Sequence, residues 1–408
     1  MKGYRKLVVI LLLTGLILTG CSANVELNEV LIVSAVGIDQ EGDQMIVHLQ
    51  VVNAGGVTGG QGLASVGGSV ASGGSVYTYS VRGETLYEAI EKASNILPRK
   101  LLFSHVSCFV LGENYARKVG ITPLFDYMER NYEIRDNVFM FVAKNSSAKD
   151  ILALYTPISK IPGELLRRQV ELSSISTGIS KGIKQKDIIN WLYGEFRDPV
   201  IQGVERVELS KLGGDTGNLS NIDANNKMYH ITGLALFDKD LMTGWYNQDQ
   251  TIGWAIIDHR IKELTILTKK CDDQKGQIGF MIKNIKSSVK PVVEQGEITY
   301  QVKFSGKAFV QEITCKIDVG DPNTIIEMEK QVEEQIKDDI ESAVQKAQQK
   351  NIDVLGFGKI LYENEPKMWE EHYKKEWKNE FSKVKIKAYV TIQIESVGTR
   401  VKTIHEKK

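Results

Sequence analysis

The sequence predicts an α+β fold of two or three domains, with mixed and antiparallel sheets flanked by helices and a long helix packed on the C-terminal sheet. Three observations carry this reading. A hairpin pattern occupies residues 29–53, and strand and helix patterns then alternate to about residue 198. A long two-sided helix follows Asp321-Pro322, with a period-two strand behind it.

Glu29–Asp39 is an apolar run that reads as a buried strand, Asp39–Asp43 as a turn and Gln44–Asn53 as the hairpin partner. Residues 54–76 are packed with Gly and Ser. Such a segment loses much backbone entropy on ordering and has few large side chains to offset the loss, so it is expected to be a mobile loop. It holds no Gly-Lys-Ser/Thr, no Gly-x-Gly-x-x-Gly opening a helix and no Gly-x-Ser-x-Gly, so it is neither a phosphate loop nor a nucleophile elbow. Ser75–Val81 resumes strand character. Thr85 to Glu88 then has capping-box spacing before an apolar stripe of Leu86, Ala89, Ile90, Ala93 and Leu97, which Pro98 ends. Strand Leu101–Leu111, a helical stretch at Pro123–Glu129, strand Asn137–Lys144 and helices at Ala148–Tyr155, Gly163–Ser174 and Lys186–Phe196 complete an N-terminal unit, residues 21–198.

Residues 199–270 are expected to form a middle β-rich unit, with strands at Val200–Leu209, Met228–Phe237, Thr251–Asp258 and Ile261–Leu267. Residues 271–408 form the C-terminal unit, starting with a strand pair around Glu294-Gln295-Gly296. Asp321 suits the cap and Pro322 the first position of the long helix. Its stripe of Ile325, Met328, Val332, Ile336, Ile340, Val344 and Ala347 is set among Glu, Lys, Asp and Gln, so one face is buried on a sheet. In Ser382–Val397 apolar and polar residues alternate, as in a half-exposed antiparallel strand. Trp369, Tyr373 and Trp377 fall four apart on a predicted helix. Packing on the sheet is favoured for them over a partner or membrane contact.

The amino terminus reads as a secretory signal over residues 1–20. Lys2, Arg5 and Lys6 precede the apolar run Leu7–Leu18, and a small residue, Gly20, stands before Cys21. As a helix the run would span roughly 18 Å, short of a hydrocarbon core of about 30 Å. The ending Leu18-Thr19-Gly20-Cys21 resembles the bacterial lipobox, which implies a diacylglyceryl thioether on Cys21, cleavage before it, and a body held at the outer face of the cytoplasmic membrane.

Lys+Arg and Asp+Glu both number 51, and this balance argues against nucleic-acid binding. Beyond Cys21, Cys108 reads as a small core residue. Cys271 and Cys315 could pair across neighbouring strands, although the favoured reading is a chain that does not depend on a disulfide. None of His48, His105, His230, His259, His372 and His405 lies in a zinc motif, and no acidic pair stands out as general acid and base. The expectation is therefore no catalytic residue, no metal and no cofactor apart from the lipid on Cys21.

Short motifs in a fixed order carry a family resemblance. They are Glu26-Leu27-Asn28-Glu29, Val36-Gly37-Ile38-Asp39, Leu49 to Asn53, Gly83-Glu84-Thr85, Pro98-Arg99-Lys100-Leu101 with His105, Leu111-Gly112-Glu113, and Arg130 with Glu133-Ile134-Arg135. Gly233 to Phe237 with Gly244-Trp245 and Gly253 follow, then Asp353-Val354-Leu355-Gly356-Phe357-Gly358 and Trp377 to Phe381. In these the chain resembles the Ger(x)C lipoproteins, the C subunits of GerA-type nutrient germinant receptors of endospore formers. The resemblance implies a non-enzymatic lipoprotein in the spore's inner membrane, partnered by a membrane-embedded A subunit and a transporter-like B subunit. It transfers one residue with a chemical role, Cys21. The runner-up is the solute-binding lipoprotein of a transporter, whose two α/β lobes the β-rich second half fits poorly.

Overall fold

A computed structural model describes residues 3–4, 29–52, 76–154, 159, 161–172, 182–206, 228–268, 276–294, 297–315 and 317–398. Cys21, residues 54–75 of the Gly/Ser-rich segment and Cys271 lie outside them.

The early hairpin forms where the apolar run, turn and partner strand predict it. β1 (Val30–Glu41) and β2 (Gln44–Val52) pair antiparallel around Gly42, whose φ of +59° suits the turn. β3 (Val76–Gly83) adds to β2. The Thr85 hydroxyl caps α1 (Leu86–Ile96) by accepting from the Glu88 N–H. The expected strand Leu101–Leu111 is broken. β4 (Lys100–Leu102) and β5 (Cys108–Gly112) both run parallel to β1 but meet different stretches of it, and the residues between them loop out.

Next come α2 (Glu113–Lys118), α3 (Thr122–Arg130), β6 (Phe139–Ala143), α4 (Ala148–Leu152), α5 (Pro162–Leu172) and α6 (Gln185–Tyr193). β7 (Val200–Arg206) pairs in parallel with β6, and β8 (Tyr229–Asp238) and β9 (Leu241–Tyr246) extend the same sheet by antiparallel pairing. One mixed nine-stranded sheet, ordered β3-β2-β1-β5-β6-β7-β8-β9 with β4 on β1, therefore crosses residue 198. The strands expected for a separate middle unit are divided between two sheets.

Thr251–Asp258, expected as a strand, is part of helix α7 (Gln248–Ile257). Every residue from Thr251 to Ile257 is buried, so no polar face marks a helical period. The remaining signal is its capping box, in which Asn247 Oδ1 accepts from the Gln250 N–H and the Gln250 side chain accepts from the Asn247 N–H.

β10 (Leu264–Thr268), β11 (Ile278–Glu294), β12 (Glu297–Ile313) and β13 (Lys385–Ser396) form the second sheet in that order. β13 runs parallel to β12, not antiparallel, because the chain returns through helices before pairing. Period two is common to both arrangements, so the direction left no trace in the pattern. The long helix α8 (Pro322–Lys350) is capped by Asp321 and buries Met328, Val332, Ile336, Ile340, Val344 and Ala347. Each large apolar side chain buried there contributes about 1.5–3 kcal/mol. Among the described residues, no helix is long and apolar enough to cross a membrane.

Candidate functional site: buried carboxylates where the two sheets meet

The turn after α8 begins at Asn351, with φ +55°, and ends at Gly356, with φ +75°, where α9 (Phe357–Asn364) starts. Between them Asp353 is buried, 5% exposed. Its Oδ1 accepts from the N–H groups of Gly356 (2.8 Å) and Phe357 (3.0 Å), and its Oδ2 from the Gly358 N–H (2.7 Å) and Trp377 Nε1 (2.9 Å). Four donors at a helix start are what a buried carboxylate needs. Burial nevertheless dominates and pushes the carboxyl up to about 6, against the pull of these donors and of Arg197. Gly358 leaves room for the arrangement, since a Cβ there would sit 2.8 Å from Trp377 Nε1 and from the Phe196 carbonyl.

The backbone of Asp353 faces the first sheet. Its carbonyl accepts from the Asp198 N–H (2.9 Å), and its N–H donates to Asp198 Oδ2 (2.8 Å). Beside it, Arg197 donates to Asp258 Oδ1 and to the Val354 carbonyl, both at 2.5 Å, and lies 4.5 Å from the Trp191 ring centre. Trp254 Nε1 also donates to the Val354 carbonyl (2.9 Å). Arg260 reaches Asp258 Oδ2 (2.6 Å) and Asp187 (3.4 Å). Burial raises the Asp258 carboxyl, but the two guanidiniums overcome it and hold the group below the usual range.

The aromatic series predicted to pack does so at this junction. Trp369 is fully buried and Trp377 nearly so, with ring centres 5.3 Å apart, and Trp369 lies 5.6 Å from Phe196. The stretch Trp369–Tyr373 is a π-helical turn in which the Lys374 N–H donates to the Trp369 carbonyl. α11 (Trp377–Phe381) follows α10 (Pro366–Met368) and this turn. On the wet side a cleft of about 520 Å³ is spanned by the ion pairs Lys374–Glu195 (3.1 Å) and Lys378–Asp238 (2.7 Å).

A second polar knot lies in the N-terminal half. Asp39 Oδ1 accepts from the Ala148 N–H and Oδ2 from the Lys149 N–H, capping α4. Asp39 also meets His48 Nε2 at 3.0 Å, while His48 Nδ1 contacts the Ser80 hydroxyl at 2.7 Å. A Cβ at Gly112 would fall 2.1 Å from Asp39 Oδ1, and one at Gly37 2.9 Å from Leu152. The motifs Val36 to Asp39 and Leu111 to Glu113 thus converge on one point.

Gly253 has a similar origin, because a Cβ would fall 2.1 Å from the Asp339 carbonyl where α7 crosses α8. Cys108 is a buried core thiol pushed up to about 12 by burial, and His105 is exposed. Cys315 is disulfide-bonded, so this chain does form a crosslink. Among the described residues no group of three or more His, Cys, Asp and Glu is placed to hold a metal.

These sites define a class of protein: a two-sheet α+β body whose most elaborate polar constellations cap helices and tie the sheets together. The chain belongs to the Ger(x)C family of spore germination proteins. Residues 23–206 match the spore germination protein N-terminal domain, and residues 232–398 match the spore germination B3/GerAC-like C-terminal region. Spore germination protein KC of Bacillus subtilis (strain 168) is 28% identical over 92% of this chain and 91% of its own length. The putative spore germination protein YfkR of the same organism is 25% identical over 97% of each. The crystal structure of the GerBC protein shares the fold, with a TM-score of 0.56 at 16% identity over 88% of this chain and 96% of that one. The protein is thus a germination-related protein of mixed α+β architecture.

Proposed function

We propose that this chain is a non-enzymatic, lipid-anchored subunit of a nutrient germinant receptor, required to trigger spore germination. The observation that carries the proposal is Leu18-Thr19-Gly20-Cys21 at the end of a basic, then apolar, leader. Membership of the germination family supports the setting. Two acyl chains on Cys21, at about 0.8 kcal/mol per buried CH₂, hold the body on the outer face of the spore's inner membrane. Confinement to that surface raises its effective concentration for the membrane-embedded A and B subunits. The ties around Asp353 and Asp258 make the body a firm adaptor between those partners.

The test is Cys21→Ala in spores, read by fractionation and by germinant-triggered loss of refractility. The expected result is loss of the protein from the membrane fraction and slower germination. Full membrane retention with normal germination would overturn the anchor.

A further inference from the structure

We infer that the outer face of the second sheet is an electrostatic docking surface for an anionic lipid bilayer, which orients the anchored body. One face of this sheet is buried through Ile282, Val302, Phe304 and Ile392. The opposite face carries no helix among the described residues, and strand register assembles its side chains into rows. Lys290, Gln301 and Lys387 form one row, Ser288, Lys303 and Tyr389 the next, and Lys286, Ser305 and Thr391 the third. Three rows about 6.7 Å apart on three strands about 4.8 Å apart place these groups on a patch roughly 13 Å by 10 Å.

Lys286, Lys290, Lys303 and Lys387 are all exposed, and none has an acidic partner within ion-pair distance among the described residues. Lysines at the margin are neutralised. Lys283 pairs with Glu263, Lys307 with Glu395 and Lys385 with Glu297, and Glu294 closes the hairpin end. The neutral total charge of the chain therefore conceals a segregated cationic centre. Tyr389, 49% exposed, stands within it. A broad patch of unpaired lysines with hydroxyls and one amphipathic ring matches a plane of lipid phosphates. Basic residues are drawn to anionic headgroups, and tyrosine prefers the interface. The inference rests on the anchored reading above, since the acyl chains bring this face within reach of the bilayer.

The experiment uses the lipidated full chain reconstituted on vesicles of phosphatidylcholine alone, or with one-third phosphatidylglycerol. Lysine acylation rates are followed by peptide mass spectrometry. Lys286, Lys290, Lys303 and Lys387 should react at least about threefold more slowly on the anionic vesicles, with the difference abolished by high salt, while Lys330 and Lys337 of α8 are unchanged. The variant K286E/K290E/K303E/K387E should float with both vesicle types yet react at its remaining lysines identically on each. Equal rates for the wild-type lysines on both vesicles would overturn the inference. So would protection in native spore membranes with none on anionic vesicles, which assigns the face to a protein partner. Failure to float with neutral vesicles would instead overturn the anchor, leaving the anionic comparison to decide this face.

Discussion

Asp198 and Asp353 hold each other in both directions: the Asp198 N–H donates to the Asp353 carbonyl at 2.9 Å, and the Asp353 N–H donates to the Asp198 carboxylate at 2.8 Å. The first precedes β7 in the nine-stranded sheet and the second follows α8. One reciprocal pair thus couples the two halves. Asp198 also accepts from the Lys239 N–H at 3.0 Å. Asp198→Ala leaves two backbone donors without their acceptor and should lower unfolding free energy by about 2–4 kcal/mol. Urea unfolding followed by tryptophan fluorescence checks this, and an unchanged midpoint would mean that the pair contributes nothing to coupling.

The Asp353 carboxylate should be less tolerant. Asp353→Ala strands three backbone N–H groups and the Trp377 indole in a dry site, with an expected loss of about 3–5 kcal/mol. Trp377→Phe keeps the apolar contact with Trp369 and Phe381 but removes one donor of four, so about 1–2 kcal/mol is expected. Thermal unfolding of the two variants tests the ordering. Equal effects would overturn the ordering, since one donor of four would then account for the whole loss.

Legibility in the sequence follows from how much of each signal is local. The stripe from Met328 to Ala347 is local, and α8 forms where the period places it. The Glu294 to Glu297 turn is local as well, and β11 and β12 close around it. The pairing of β7 with β6 is long-range, so nothing near residue 198 announces that the sheet continues. α7 lost its helical period because both the sheet and α8 cover it. Asp353 to Gly358 stood out as a motif, but its chemistry did not. The partners of the carboxylate are backbone N–H groups, which have no residue identity, and an indole 24 positions away. An aspartate three residues before a glycine that opens a helix was the available hint.

Asp339 gives stability a pH dependence of calculable sign. It is 3% exposed on α8, accepts from Gln335 Nε2 at 3.0 Å, and is pushed up to about 7 by burial, with Asp249 and Asp338 adding to the rise. An unfolded aspartate titrates near 3.9, so between about pH 4 and 7 the folded state keeps a proton that the unfolded state releases. Stability therefore falls as pH rises through that window and is flat above it. Asp353 acts in the same direction, and its contribution is half complete near pH 6. Asp339 is pushed higher than Asp353, so its share of the slope persists to higher pH; burial also raises the Asp198 carboxyl, which adds in the same direction. Asp339→Asn should flatten that part of the curve and raise stability at pH 7.5 by about 1–3 kcal/mol. Urea midpoints at half-unit pH steps read both effects, and a variant with the wild-type slope would show that Asp339 is not the group responsible.

Among the described residues the second sheet ends at β13, and an unpaired parallel edge is a template for another chain. Here the long helix guards it. Glu333 Oε1 accepts from the Ile392 N–H at 2.9 Å, and Glu329 Oε1 accepts from the Ile394 N–H at 2.7 Å. The match is geometric. Four residues of helix rise about 6.0 Å and two residues of strand about 6.6 Å, so carboxylates one helical turn apart meet successive outward N–H groups. Glu333→Ala should cost about 1 kcal/mol, whereas Glu333→Gln retains an acceptor oxygen and should cost less. Replacing both Glu329 and Glu333 by Ala uncovers the edge. The expected outcome is concentration-dependent self-association, detected by static light scattering. A double variant that remains monomeric with an unshifted urea midpoint would show that the helix carboxylates do not protect the strand.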